Sequence, residues 1–408
     1  MRDGVVSRPL NWLLASSAVS NLGDGIGKVA FPLLAATLTR DPVLIAGLAA
    51  TQFLPWLLFA LPAGALMDRV DRRRAMIGAN LARAGVVAAT GLLVLSGSVS
   101  IWLVYVAALL IGTAETVADT AANVLIPSMV DRPGLEGANS KLQAAEIVGQ
   151  TFLGGPLGSL TFVVFAASPF LLNSVGFVLA AALLLGVTGG CRSRPAKRAP
   201  ARLRTDLAEG LRWLRGHRLL TRLVLVAGLL SLAVELAQAQ LVLYALEDLR
   251  LSEAAFGLFA FVGGAGGLAG AALAPRLIRS AGRLGVLAGS MTATGIAFVA
   301  MGFVTDAVAA AALFGVFAAA IVTGNVVLGT LRHALVPDAL LGRVLGVWRT
   351  VVWGAIPVGA LLGGLLTRAV GSAGVTFAAS GALQIAIAAL AVLLLRAYSA
   401  EVNERSAA

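Results

Sequence analysis

The sequence predicts an all-α integral membrane protein: twelve transmembrane helices in two six-helix bundles, with both termini in the cytoplasm. Three observations carry this. Of 408 residues, 59% are hydrophobic and 12% charged, where a soluble domain carries about a quarter. Mean hydropathy is +0.91, and the apolar residues gather in repeated runs of about 20, the length that crosses a bilayer core. The basic residues sit between these runs and on alternate sides. With both termini inside, 25 Lys and Arg fall on the cytoplasmic side and only Arg40, Arg250 and Arg368 outside. That asymmetry over short loops orients a polytopic protein in the cell membrane.

The predicted spans are 10–38, 43–66, 75–97, 101–126, 139–166 and 168–190, then 218–246, 252–277, 284–304, 306–331, 343–367 and 372–396. Backbone amides in hydrocarbon must bond internally, so Gly- and Ala-rich runs of this length are helices. The first span is interrupted by Asn21, Asp24 and Lys28, too long and too polar for a cleavable signal. The third holds Arg83, the fourth Glu115 and Asp119, the fifth Gly155, Pro156 and Gly158. Glu235 falls in the seventh, Gly263 to Gly267 in the eighth, Arg349 and Pro357 in the eleventh. Residues 1–190 form the first bundle, 191–217 a basic cytoplasmic linker, 218–396 the second bundle and 397–408 a cytoplasmic tail. Within the linker, Leu203, Leu207, Leu211 and Leu214 recur at helical spacing. That reads either as an amphipathic helix at the membrane surface or as a flexible basic linker.

Several function classes are excluded. The surplus of 31 Lys+Arg over 20 Asp+Glu is spent on topology, so no nucleic acid is expected. A lone Cys191 and two distant histidines, His217 and His333, give neither a disulfide framework nor metal-ligand spacing. There is no phosphate loop for ATP, and Gly23, Gly25 and Gly27 lie inside an apolar run rather than between a strand and a helix. No catalytic constellation stands out. Neither an enzyme nor a cofactor is expected.

The halves carry matching punctuation. Gly64-Ala-Leu-Met-Asp68-Arg69-Val-Asp71-Arg72-Arg73-Arg74 follows the second span, and Gly270 to Arg283 after the eighth is a degenerate copy about 206 residues later. Gly155-Pro156-Leu157-Gly158 in the fifth span is echoed by Pro357-Val358-Gly359 in the eleventh. Such parallel repeats place substrate at the interface between halves. Here the chain resembles the major facilitator superfamily over essentially its whole length. Gly64 to Arg74 is similar to the superfamily's loop signature, with Asp71 in place of the usual glycine. Gly149 to Ser159 resembles the fifth-helix signature of drug:proton antiporters, with its end shortened. Asn21 to Lys28 and Val336 to Val344 resemble the branch that holds macrolide efflux proteins and the enterobactin exporter. The arginine that antiporters often carry inside the fourth helix is absent, since Tyr105 to Asp119 contains none.

The resemblance implies a latch between halves built from Gly64, Asp68, Arg69 and Arg73; topology signalling is the plainer role for the arginines. It also implies a conformational role for Gly155, Pro156 and Gly158, against ordinary small-residue packing. Embedded charges give the sharpest signal from the residues themselves, because each needs a partner, a proton or water. Asp24 and Lys28 stand one turn apart and can pair. Glu115 and Asp119 also share a face and repel, so one takes a proton unless a cation intervenes; Arg83 is a candidate partner. Asp24, Glu115, Asp119 and Glu235 are therefore the proton-coupling candidates. Glu146 and Arg349 are candidate gate partners, and Phe53, Trp56, Gln150 and Gln238 candidate pocket residues. The expected function is secondary transport by a monomer: export of a drug-, siderophore- or metabolite-like molecule in exchange for protons. Proton symport or facilitated uptake of a small nutrient is the alternative.

Overall fold

A computed structural model describes residues 8–67, 70–125, 129, 135–187 and 203–398. The described residues are helical, with no strand. In chain order the helices are α1 (Arg8–Leu38), α2 (Pro42–Met67), α3 (Arg72–Leu95), α4 (Ile101–Leu125), α5 (Leu135–Glu146), α6 (Gly154–Val164) and α7 (Ser168–Leu183). There follow α8 (Leu203–Gly216), α9 (Arg218–Gln238), the single turn α10 (Leu241–Leu243), α11 (Glu253–Met301), α12 (Ala307–Leu335), α13 (Asp338–Val370) and α14 (Ala373–Leu395).

Two departures from the predicted spans have local causes. The fifth span is α5 and α6 joined by a π-helical stretch, Ile147–Leu153. Pro156 has no N–H, and its ring crowds the carbonyl four residues back, at Phe152. The wide turn sits where that strain falls, and glycines on both sides allow it. The eighth and ninth spans run together as α11, broken only at Gly282 with φ 70° and ψ 166°. A left-handed φ there is open to glycine at little cost. Among the described residues nine helices are long and apolar enough to cross a membrane; α11 is one of these although it covers two predicted spans, and α1, with Asp24 and Lys28, is not among them. Asp71 caps α3 by accepting the Arg74 N–H at 3.0 Å, and Asp306 and Ser372 cap α12 and α14 in the same way. In α8, Leu214 is buried while Leu211, Arg212 and Arg215 are exposed.

The chain forms two compact units. The first comprises Met1–Thr39, Leu54–Ala201 and Ser252–Phe261. At one end Leu10, Leu13, Met76, Ala121, Leu125, Ala138 and Leu184 close a core from α1, α3, α4, α5 and the end of the sixth span. Phe31 meets Phe170 edge-on with centroids 5.1 Å apart. The second unit comprises Arg40–Phe53, Arg202–Leu251 and Val262–Ala408. Its aromatic centre stacks Phe298 on Phe317 at 4.2 Å, with Phe377 between Phe298 and Tyr244. The Tyr244 hydroxyl donates to the Met301 carbonyl at 2.7 Å, which satisfies its polar end in the interior. The opening of α2 packs small residues, Ala46 with Ala49 and Ala50, against Ala239 and Ala360 of this unit.

Candidate functional site

Within the first unit a partly open cavity of about 90 Å³ is lined by eight polar and four apolar side chains. Ser16, Ser17, Ser20, Asn21 and Asp24 come from α1, Met76 and Asn80 from α3, Ala118, Asp119 and Ala122 from α4, and Leu142 and Glu146 from α5. Helical periodicity puts residues 17, 20, 21 and 24 of α1 on one face. Asp119 and Glu146 are exposed to the cavity, while Asn80 is 1% exposed.

Arg83 ties this wall together. Its side chain is 1% exposed, and one terminal nitrogen donates to Asp24 in an ion pair. The other donates to the Ser20 hydroxyl at 3.1 Å and to Asn80 Oδ1 at 3.4 Å, and the guanidinium lies 4.1 Å over the Phe177 ring. A fork of fixed N–H groups suits several acceptors at once. The pairing of Asp24 with Lys28 does not form, although they stand one turn apart. Lys28 instead donates to Gln150 Oε1, and Gln150 Nε2 donates to Asn21 Oδ1 at 2.7 Å. The reason is positional: Asp24 leans toward α3, whereas the π-helical turn offers Gln150 to Lys28. Glu115 and Asp119 have no hydrogen bond or ion pair among the described residues, yet both feel the field of Asp24, Arg83 and Glu146.

The glycines of the fifth span face two ways. A Cβ on Gly154 would strike the backbone of Gly25, and one on Gly158 would stand 2.7 Å from the Ile26 carbonyl, so both serve the contact with α1. Gly155 looks instead toward Gly257 and Ala260 of the opening of α11, at ordinary contact distance. Ser159 donates to the Glu253 carbonyl and accepts from the Gly257 N–H at 3.2 Å. Pro156 is half-buried beside them.

Other expected residues are placed as follows. Gly64 is helical within α2; Asp68 and Arg69 lie outside the described residues. Arg73 donates to the carbonyls of Leu184 at 2.8 Å and Leu185 at 2.7 Å, capping the last turns of the sixth span. In the second unit Glu235 is half-buried on α9, with no hydrogen bond or ion pair among the described residues. Gln238 stands nearby with its buried Oε1 unpartnered, and Arg349 lies 5.2 Å from the Trp353 ring centroid. Phe53 and Trp56 are half-buried on α2, the first in the second unit and the second in the first. Neither lines the polar cavity. Sequence reasoning missed Ser20, Asn80 and Phe177 around Arg83. The signal for Asn80 was present, because three residues before Arg83 is the same helix face.

A membrane-embedded helical protein with a polar, charged cavity in one of its units is built as a solute carrier. The family of transmembrane secretion effectors matches residues 6–408, and the chain belongs to that family of the major facilitator superfamily, whose members are transporters. An uncharacterized transporter of the same superfamily from Mycobacterium tuberculosis is 30% identical over 237 residues, covering 56% of this chain and 53% of its own, so the chain spans about half the length of that relative. The multidrug efflux pump Tap of Mycobacterium tuberculosis is 25% identical over 380 residues, 89% of this chain and 88% of its own. Among solved structures, the nucleoside transporter NupG superposes with a TM-score of 0.75 at 12% identity over 96% of this chain and 99% of its own. A bacterial homologue of the iron transporter ferroportin gives 0.73 at 16% identity over 97% of this chain and 100% of its own. These likenesses establish the major facilitator fold.

Proposed function

We propose that this transporter exports a hydrophobic or amphipathic organic molecule, of the drug, siderophore or secondary-metabolite kind, in exchange for protons. It works by alternating access as a monomer in the cell membrane. Both termini are cytoplasmic, and the bundles 1–190 and 218–396 are joined by the linker 191–217, with 397–408 as a tail. The observation that carries the reading is the polar cavity beside Arg83. Four carboxylates, Asp24, Glu115, Asp119 and Glu146, lie within one another's field, with Lys28 and Arg83 as the cations among them. Fully ionised, this group carries two surplus negative charges in a low-dielectric surrounding, which protons or a bound cargo relieve. Competition between the two is the elementary step of antiport. Asp24 is held by Arg83, so Glu115 and Asp119 are the groups free to exchange protons, with Glu235 as a second carrier in the other unit. The likeness to a multidrug efflux pump supports export. Gly64, Asp68, Arg69 and Arg73 keep a latch role by family resemblance, and Phe53, Trp56, Gln150 and Gln238 a role in cargo contact.

The test uses proteoliposomes, an imposed pH gradient and a hydrophobic fluorescent dye. Glu115→Gln with Asp119→Asn should abolish gradient-driven dye movement while leaving downhill dye exchange. Undiminished gradient-driven movement would reject these acids as coupling groups. Protons travelling with the dye rather than against it would replace antiport by symport.

A further inference from the structure

In the second unit two cations, one at the end of α12 and one in α13, lack among the described residues the provision that Arg83 enjoys in the first. Arg332 stands near the end of α12, and Arg349 lies inside the apolar stretch Val344–Val370 of α13. Arg332 Cζ is 5.3 Å from the centroid of the Trp348 ring, and Arg349 Cζ is 5.2 Å from that of Trp353. Trp348, on which Arg332 lies, directly precedes Arg349 in α13, which brings the two guanidinium groups within each other's field. Among the described residues neither donates a hydrogen bond and neither has an ion pair, and the buried Arg332 Nε is without a partner. Trp348 is 6% exposed, whereas Arg349 is exposed.

An aromatic face attracts a cation without neutralising it. Stacking therefore orients both forks but leaves their in-plane N–H groups unused. Like charges held within each other's field call for a counter-charge. Two guanidinium forks within each other's field match an oxyanion better than any other partner, because each offers parallel N–H donors to a pair of oxygens. We propose that Arg332 and Arg349 form a binding site for an oxyanion, a carboxylate or phosphate group, with Trp348 and Trp353 orienting the two forks. The group belongs either to an acidic cargo or to the headgroup of an anionic lipid. The site does not depend on proton coupling and would serve an importer equally, so its failure and the failure of antiport are separable.

The full chain is purified into nanodiscs of phosphatidylcholine, and unfolding is followed by intrinsic tryptophan fluorescence at constant ionic strength set with chloride. Benzoate and inorganic phosphate serve as soluble probes, and nanodiscs containing phosphatidylglycerol serve as the lipid probe. A ligand that binds only the folded state raises the melting temperature. Stabilisation by a soluble probe, weakened at least tenfold in apparent affinity by Arg332→Gln or Arg349→Gln, assigns the site to an acidic cargo. Stabilisation only by phosphatidylglycerol, lost in the same variants, assigns it to a headgroup. Responses equal in wild type and both variants, including no response at all, overturn the proposal. Should the Gln variants not fold, Arg332→Lys and Arg349→Lys decide. They keep the charge but lose the fork, so affinity should fall several-fold, and unchanged affinity overturns the site.

Discussion

Asp41 and Arg368 stand 327 residues apart in sequence and form a two-pronged ion pair, Arg368 Nε donating to Asp41 Oδ1 at 3.1 Å and a terminal nitrogen to Oδ2. Asp41 also accepts the Val43 N–H at 2.9 Å, at the start of α2, while Arg368 lies in the last turn of α13. Each charge therefore sits at the helix end whose dipole it favours. The hydrogen bond from Arg368 holds the Asp41 carboxyl below the usual carboxylate range. A depressed folded-state value means that the stabilisation is fully present above the ordinary value of about 3.9 and fades only as pH falls through the lower one. The melting-temperature difference between wild type and Asp41→Asn in nonionic detergent should be the same at pH 7 and pH 5. It should close only in stronger acid. A difference already gone at pH 5 would contradict the pairing. High salt should shrink it, since both side chains reach solvent.

Asp24 and Arg83 make the opposite kind of pair, with side chains 9% and 1% exposed. Removing one partner from a buried pair leaves a bare charge and costs about 3–5 kcal/mol, whereas removing both is far milder. Arg83→Gln and Asp24→Asn should each lower unfolding free energy by that order in a denaturant titration of the purified protein. The double variant should lose markedly less than the sum of the two. Additivity within about 0.5 kcal/mol would mean that the side chains do not act together.

How much of this was legible follows from what periodicity can and cannot say. Run length and loop charge reveal helices, because hydrocarbon thickness and anionic headgroups act on any sequence alike. Asp24 stood out because a carboxylate inside an apolar run is expensive. Its partner did not, because helical spacing orders side chains on one helix and is silent about which helix lies alongside. Lys28 was the near neighbour in sequence, and Arg83 the near neighbour in space. Arg368 was read as a topology charge only, and its pairing with Asp41 went unseen for the same reason. Asp71 was visible as a departure from the loop signature, but its use as the cap of α3 appears only with the Arg74 N–H in place. The π-helical turn is a third case: Pro156 marks the strained position, yet that the turn hands Gln150 to both Lys28 and Asn21 depends on where α1 runs.

The glycines of the fifth span give a sharper test, because their roles differ by position. The family resemblance treats Gly155, Pro156 and Gly158 as one conformational signature, whereas the packing divides the glycines. A methyl on Gly154 or Gly158 meets backbone of α1, which cannot turn aside. A methyl on Gly155 meets Ala260 Cβ at 3.7 Å, an ordinary contact. A methyl on Gly85, exposed in mid-α3, meets nothing within 4 Å. Forcing atoms into a packed contact costs about 1–3 kcal/mol. Replacing an unencumbered helical glycine by alanine gains roughly 0.5–1 kcal/mol through the unfolded chain. Melting temperatures should therefore fall for Gly154→Ala and Gly158→Ala, stay near wild type for Gly155→Ala, and rise for Gly85→Ala. Equal losses at 154, 155 and 158 would show that the signature acts as a unit and that the close approach of α1 is not what the glycines are for.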